Sequence, residues 1–557
     1  MSVGRSIDDA AYAVAYGAAA VPDPLVAGSH VRCTIEARNA GTTTWRRAPQ
    51  DGHAVDVAVY LDGTLHTTGH MLSETALPGA SVTFACVLRV PEAGDHELRF
   101  ELITQNLCFF SERGSPPLTL PVLVVAPSAP SRGEALLRCA LARNPWFDWP
   151  TQGVSRDGHG TLWPLFARHA VGCRLTDVEG REYLDFVMGF GAALLGYAHP
   201  RIQAALRSAL DSGPTLPLPS EIEMEVTDLL CSMVPCAEMV VFGKNGSDVC
   251  TAAVRLARAV TGRSHVVFCG YHGWQDWYLQ RDGFPPARVT GTSTALAVPF
   301  VFNDVASLEA ALERHRGAVA AVMLEPAVPA EGPQGPLRDA DPRFLRDAQA
   351  LAARHGALLV FDEILTGFRY PSGTVQRAYG VVPDLCCLGK ALGGGLPLSA
   401  LVGRAEIFRR GMGAIYYGPT FKSETYSLVA AREALALYQE VDVPAHVARV
   451  GGALRGEVNR ICGALGLDAE MIGPPFRMLV RFDGVAEADA RSMRTLLHQE
   501  LLRRRLLTYK GFLLPCLAHD DAAVAQAVEA YRAALGVVAA AVKDGSLASR
   551  LEIAPLG

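Results

Sequence analysis

The apolar residues of this chain repeat with two different periods, and the change near residue 130 constrains the fold more than any other feature. From His30 to Val125 they alternate: Val31, Cys33, Ile35, Ala37; Val55, Val57, Val59, Leu61; Val82, Phe84, Cys86, Leu88, Val90; Leu98, Phe100, Leu102; Leu118, Leu120, Val122, Val124. Period two is the spacing of strands that bury one face. Turn residues separate the runs at Asn39-Ala40-Gly41, Asp62-Gly63, Pro78-Gly79 and Ala93-Gly94-Asp95. An all-β, immunoglobulin-like sandwich is therefore expected over residues 1–125. The Pro-, Ser- and Ala-rich stretch Ala126 to Gly133 breaks the alternation and opens an expected linker, residues 126–160.

Beyond about Thr161, short wholly apolar runs alternate with helical patterns. Buried strands are expected at Met239 to Phe242, His265 to Cys269, Val319 to Leu324, Ala357 to Phe361, Leu385 to Leu388 and Ser399 to Val402. Between them Val249, Ala252, Ala253, Leu256 and Val260 share one helical face, as do Phe344, Leu345, Ala348, Leu351 and Ala352. That alternation predicts an α/β domain, a mostly parallel sheet with helices on both faces, over residues 216–432. Residues 161–215 and the helix-rich 433–557 are expected to form a smaller α+β lobe.

Composition narrows the function. Half of the 557 residues are apolar and 19% are charged, which excludes a disordered chain. Lys plus Arg number 51 against 57 Asp plus Glu, a net charge of −6 without long runs of one sign, so nucleic acid is not an expected partner. The apolar stretch 186–198 is short of the roughly 18 to 20 residues that span a bilayer, and no membrane association is expected. The Ala-rich run 10–21 follows Asp8 and Asp9 rather than a basic leader, so it is not read as an export signal. The 13 cysteines are scattered, without a CxxC pair, which fits reduced thiols in the cytoplasm and no metal site.

Four loops that follow the apolar runs carry chemistry, and ligands of open α/β sheets collect there. Gly243-Lys244-Asn245-Gly246-Ser247-Asp248 opens a helix and offers free N–H groups to a phosphate, or a plain helix cap. Tyr271-His272-Gly273-Trp274 offers rings for stacking on a flat heterocycle, or a core edge. Asp362-Glu363 ends a buried strand and calls for a cationic partner, or caps a turn. Lys390, at the lip of another buried strand in a nearly uncharged neighbourhood, is expected to have its amine pKa lowered by desolvation and to be nucleophilic toward aldehydes. Together the four loops describe a planar, phosphorylated aromatic aldehyde with a ring nitrogen. Pyridoxal 5'-phosphate is such a molecule.

At these residues the chain also resembles a known family. Phe242 to Asp248, Tyr271 to Trp274, Phe361 to Arg369 and Leu388 to Pro397 resemble the signature segments of class III aminotransferases, within them the glutamate-1-semialdehyde aminomutase branch. The resemblance runs from about Trp163 to the C-terminus and includes Gly172 to Gly180 and Gly196 to Pro200. It implies the fold-type I architecture, with a mostly parallel seven-stranded sheet. It also implies Lys390 as the Schiff-base lysine, Asp362 as partner of the pyridinium nitrogen, and Tyr271 and Ile364 on the two faces of the ring. His272 is grouped with Tyr271 as cofactor-binding, and Asn245, Gly246 and Ser247 would cradle the phosphate. Thr420, in Gly418-Pro419-Thr420-Phe421, would reach the phosphate of a neighbouring subunit, so a homodimer with shared sites is implied. Lys422-Ser423-Glu424-Thr425 departs from the family pattern. The expected activity moves an amino group from an amino-acid donor to an aldehyde or ketone in a biosynthetic pathway, of a sugar or specialised metabolite. The added sandwich, which resembles accessory β-domains found with carbohydrate-modifying proteins, motivates that choice. An intramolecular aminomutase, and a non-catalytic scaffold whose sandwich binds glycan or protein, are the alternatives.

Overall fold

The computed structural model describes residues 12–22, 25–47, 54–72, 75–104, 109–125, 131–144, 166–278, 296–329, 337–552 and 555. Asp8, Asp9, residues 126–130 of the expected linker, its stretch 145–160 and Trp163 lie outside them. The chain divides into two compact units, residues 1–166 with 548–554, and residues 167–547 with 555–557.

The first unit is a β structure whose eight main strands form one hydrogen-bonded sheet. Their order is Val14–Ala20, His30–Asn39, Ser81–Arg89, Thr64–Met71, Val55–Leu61, Gly94–Thr104, Leu118–Val125 and Leu25–Val26. Thr64–Met71 pairs along its length with Val55–Leu61 but meets Ser81–Arg89 only through His70 and Met71. At that junction a Cβ on Gly69 would stand 2.6 Å from the Ala85 carbonyl oxygen, so the close approach needs glycine. Inward residues of both halves, among them Ile35, Phe84, Val57 and Phe100, join one buried cluster around Trp45. One apolar face per strand closing on a shared core is the physical content of a sandwich. Two strands escaped the period-two reading. Val14–Ala20 is mostly alanine, and Thr64–Met71 is polar and largely exposed. Within the expected linker, Arg132–Arg143 is a helix closed by a capping box: Ser131 Oγ accepts from Glu134 N (3.2 Å) and Glu134 Oε2 from Ser131 N (2.8 Å).

The second unit is built on a seven-stranded sheet. Its order is Met239–Gly243, Ser399–Gly403, Leu385–Leu388, Leu358–Asp362, Val319–Leu324, His265–Cys269 and Ala297–Pro299. Ser399–Gly403 runs antiparallel to both neighbours and the remaining pairs are parallel. Every residue of Val319–Leu324 is buried, because helices cover both faces of a parallel sheet. The helices Gly246–Thr261 and Pro342–His355 bury the faces read from their spacing and end at left-handed Gly262 and Gly356. The edge strand Ala297–Pro299, with three residues, is too short to leave a periodic signal.

A smaller sheet joins Ala167–Val171, Arg174–Asp177 and Glu182–Asp185 to Leu506–Leu507, so distant parts of the unit meet. Helix Glu487–Arg503 packs against Leu506–Leu507, and Asp521–Lys543 packs on both Glu487–Arg503 and Val443–Ala464. Asp521–Lys543 is the one described helix long and apolar enough to cross a membrane. Its Ala527, Tyr531, Leu535 and Val538 are buried in the unit, as in a core helix.

Candidate active site

The site lies where the central strands end. Leu358–Asp362 delivers two adjacent carboxylates, and extended chain sends consecutive side chains to opposite sides. Glu363 turns away: its oxygens accept from Val375 N (2.8 Å) and Gln376 Nε2 (3.1 Å), anchoring the helix Val375–Tyr379. Burial raises its carboxyl pKa to about 7. Asp362, 2% exposed, faces the other way. Its Oδ2 lies 2.8 Å from His272 Nδ1 and 3.4 Å from Cys250 Sγ, and its Oδ1 accepts from Ile364 N (3.1 Å).

His272 corrects an expectation. Its ring is closed in by Trp277, Tyr278 and Phe268 and its side chain is fully buried, so it has no open face for a heterocycle. It acts on the site through Asp362. Its two nitrogens are taken up by the Asp362 carboxyl and the Cys269 carbonyl (3.1 Å). Tyr271 differs from its neighbour. Its side is open, with 49% of the residue exposed.

Lys390 follows the strand Leu385–Leu388 in a left-handed conformation, φ 44°, which costs of order 1 kcal/mol for a residue with a Cβ. The strain is held by its surroundings. Tyr438 Oη donates to the Ala391 carbonyl (2.9 Å), and the Tyr438 ring stacks on Phe368 at 4.7 Å. Burial lowers the amine's pKa, with Arg369 and Arg477 adding to it, while Glu325 and Asp362 act in the opposite sense. The expected direction is found, but the expected uncharged neighbourhood is not: two acids and two arginines bear on this amine.

Glu325 is the residue the sequence reading missed. It follows the apolar run Val319–Leu324 directly, the same signal that singled out Asp362. Its Oε2 accepts from Tyr271 N (2.7 Å), and burial, then the charge of Asp362, raises its pKa to about 7.

The loop before Gly246–Thr261 completes the group. Asp248 accepts from Asn245 N (2.8 Å) and Lys244 N (3.2 Å), and Ser399 Oγ holds the Asn245 carbonyl (2.8 Å). The Gly246 and Ser247 N–H groups, at the positive end of the helix, meet no acceptor among the described residues. A Cβ on Gly246 would stand 2.5 Å from Ile364 Cδ1, and one on Gly273 2.5 Å from Ser247 Cβ. The structure thus brings together Asn245, Gly246, Ser247, Tyr271, Asp362, Ile364 and Lys390. Free helix N–H groups, an open ring, a buried acid and an amine of lowered pKa fit a phosphorylated pyridine aldehyde.

Thr420 is not brought into this group. It is exposed, and no hydrogen bond joins it to these residues among the described ones. The nearby departure from the family pattern has a local explanation: Glu424 Oε2 lies 2.9 Å from Lys244 Nζ. Glu424 also accepts from Tyr426 N (2.6 Å) and Ser427 N (3.2 Å), capping the helix Thr425–Glu440. Burial pushes its carboxyl up, but the Ser427 hydroxyl and Lys244 outweigh it and hold the pKa low.

Comparison with known proteins places this geometry. The aminotransferase class-III family model matches residues 155–464. The 3-aminobutyryl-CoA aminotransferase of Cloacimonas acidaminovorans is 30% identical over 381 residues, 68% of this chain and 90% of the relative. The glutamate-1-semialdehyde 2,1-aminomutase of Methanothermobacter thermautotrophicus is 35% identical over 367 residues, 63% of this chain and 85% of the relative. Among solved structures, the pyridoxal-phosphate internal aldimine form of the Sphingopyxis FumI protein superposes with a TM-score of 0.66 at 27% identity, over 76% of this chain and 99% of that one.

Proposed function

Because the chain belongs to the class III aminotransferases, enzymes that depend on pyridoxal 5'-phosphate, we propose that it is an intermolecular transaminase: it takes nitrogen from an amino-acid donor and gives it to an aldehyde or ketone in a biosynthetic pathway. The observation that carries the reading is the single constellation of Lys390, Asp362 and the unpaired N–H groups of Gly246 and Ser247. When bound, the cofactor supplies an aldehyde for an amine and an electron sink for the substrate carbon.

The chain's own residues do the rest. Gly246 and Ser247 would hold the phosphate at the helix N-terminus, with Asn245 shaping the turn. Tyr271 and Ile364 are the side chains that would pack against the cofactor's ring. Asp362, steadied by His272, keeps a proton on the ring nitrogen. Lys390 Nζ, its pKa lowered by burial, has an uncharged form available as nucleophile, and the same atom takes and returns the proton that moves during transfer.

The β strands of residues 14–125 precede the span matched by the family, and an added unit supports a specialised or sugar-derived acceptor. Thr420, exposed and without a hydrogen bond to the group, supports a homodimer in which each protomer completes its partner's site. A second reading, an intramolecular aminomutase, has the 35% identity to the Methanothermobacter enzyme in its favour. Nitrogen-labelled amino donor separates the two. Label appearing in the aminated product is expected, and product free of label contradicts transamination between molecules.

A further inference from the structure

The stacked rings of Phe368 and Tyr438 have a second use. Both line a cavity of about 400 Å³ in the second unit, within the roughly 300 to 1,000 Å³ of small-molecule sites. None of the residues grouped around Lys390 lines it. Three helix ends frame it: Glu221–Met233 finishes there with Ser232 and Met233, Thr425–Glu440 with Tyr438 and Gln439, and Val443–Ala464 begins after Asp442. The wall is therefore mixed. Met233, Val441 and the two rings are apolar surface, and the charged side chains are of opposite sign, Arg377 and Asp442. Each is oriented by one bond to the chain and keeps capacity to spare. Arg377 Nη2 donates to the Ser232 carbonyl (3.1 Å), and Asp442 Oδ1 accepts from Ala445 N (3.0 Å) as the cap of Val443–Ala464. Among the described residues neither is in an ion pair, with the other or elsewhere.

A cation and an anion that share one cavity without meeting suit a ligand carrying both charges. We propose that this cavity binds a free α-amino acid with an apolar side chain: its carboxylate at Arg377, its ammonium group at Asp442, and its side chain against Met233, Val441 and the rings. The site is separate from the one at Lys390 and goes beyond the transaminase reading. It reaches the cofactor through one bond. Tyr438 Oη donates to the Ala391 carbonyl (2.9 Å), next to the left-handed Lys390, so a ligand seated against Tyr438 steadies the turn that carries the cofactor. By linkage, ligand and cofactor then tighten one another by the same factor.

Holoenzyme reduced with borohydride, which fixes the cofactor and stops transfer, is titrated by calorimetry with L-phenylalanine, 3-phenylpropanoate and 2-phenylethylamine. The second lacks the ammonium group and the third the carboxylate. Saturable binding of phenylalanine, one per chain, is expected. Arg377→Gln should weaken phenylalanine and 3-phenylpropanoate about three- to fivefold, the size of one exposed charge contact, and leave 2-phenylethylamine unchanged. Asp442→Asn, which keeps the helix cap, should weaken phenylalanine and 2-phenylethylamine by about the same factor and leave 3-phenylpropanoate unchanged. In unreduced holoenzyme, saturating 3-phenylpropanoate, which has no amine to react, should tighten cofactor binding about fivefold or more. Tyr438→Phe should abolish that tightening and still bind phenylalanine. No saturable binding, binding untouched by both charge variants, or equal loss of all three ligands overturns the site. Binding that follows the pattern without tightening the cofactor overturns the coupling. Failure of nitrogen-label transfer contradicts the transaminase reading alone and leaves each of these outcomes readable.

Discussion

Asp362 and Glu363 are adjacent acids with opposite surroundings, and their substitutions separate chemistry from stability. Asp362→Asn keeps the shape but weakens the hold on a ring-nitrogen proton. A charge-assisted bond of about 1.5 to 3 kcal/mol corresponds to a loss of roughly ten- to a hundred-fold in kcat/KM, read by steady-state kinetics. Glu363 acts on stability instead. Its carboxyl titrates near 7 when folded and at the ordinary 4.5 when unfolded, so between those values the folded state binds more protons. Stability therefore falls as pH rises through that window, by at most about 3 kcal/mol from this group. Chemical denaturation from pH 5 to 8 checks it: Glu363→Gln should flatten the decline. The acid that reaches the site was legible at the end of an apolar strand. Its partner His272 was legible as a residue but not as a role, because only the folded chain shows that both imidazole nitrogens are spoken for.

At the scale of elements, what the sequence carried best were the runs that burial dictates. The six expected strands of the large domain are all present, and the period-two runs of the first unit are strands. Elements without a hydrophobic signal stayed hidden: the polar strand Thr64–Met71, the alanine strand Val14–Ala20 and the three-residue edge Ala297–Pro299. The helix Arg132–Arg143 had a signal of another kind, Ser131 followed at the third residue by Glu134, inside a stretch whose Pro and Ser content pointed to a linker. Lys244 and Glu424 are 180 residues apart, so no local pattern connects them, yet their ion pair ties the phosphate-side loop to the helix Thr425–Glu440. Glu424→Ala removes a cap and is expected to cost about 1 to 2 kcal/mol in denaturant melts. It should also speed loss of cofactor on dilution. Lys244→Ala should share the second effect, and in the double variant the two should not add.

For the whole molecule, the proposed sharing of active sites between two copies can be tested by complementation. Lys390→Ala and Thr420→Ala are each expected to be weakly active or inactive alone. If Thr420 serves the partner's site, a mixed dimer carries one intact site and one doubly altered. Co-refolding the two variants in equal amounts should then restore about a quarter of wild-type activity per protomer; no restoration contradicts a site built across two copies. The two compact units are also expected to unfold as separate transitions in calorimetry, since each has its own buried cluster.

The claim on which the rest depends is that one amine carries the cofactor. Holoenzyme is reduced with borohydride, digested and mapped by mass spectrometry. The account predicts one pyridoxyl-phosphate adduct, on Lys390; an adduct on another lysine, or none after full reconstitution, contradicts it.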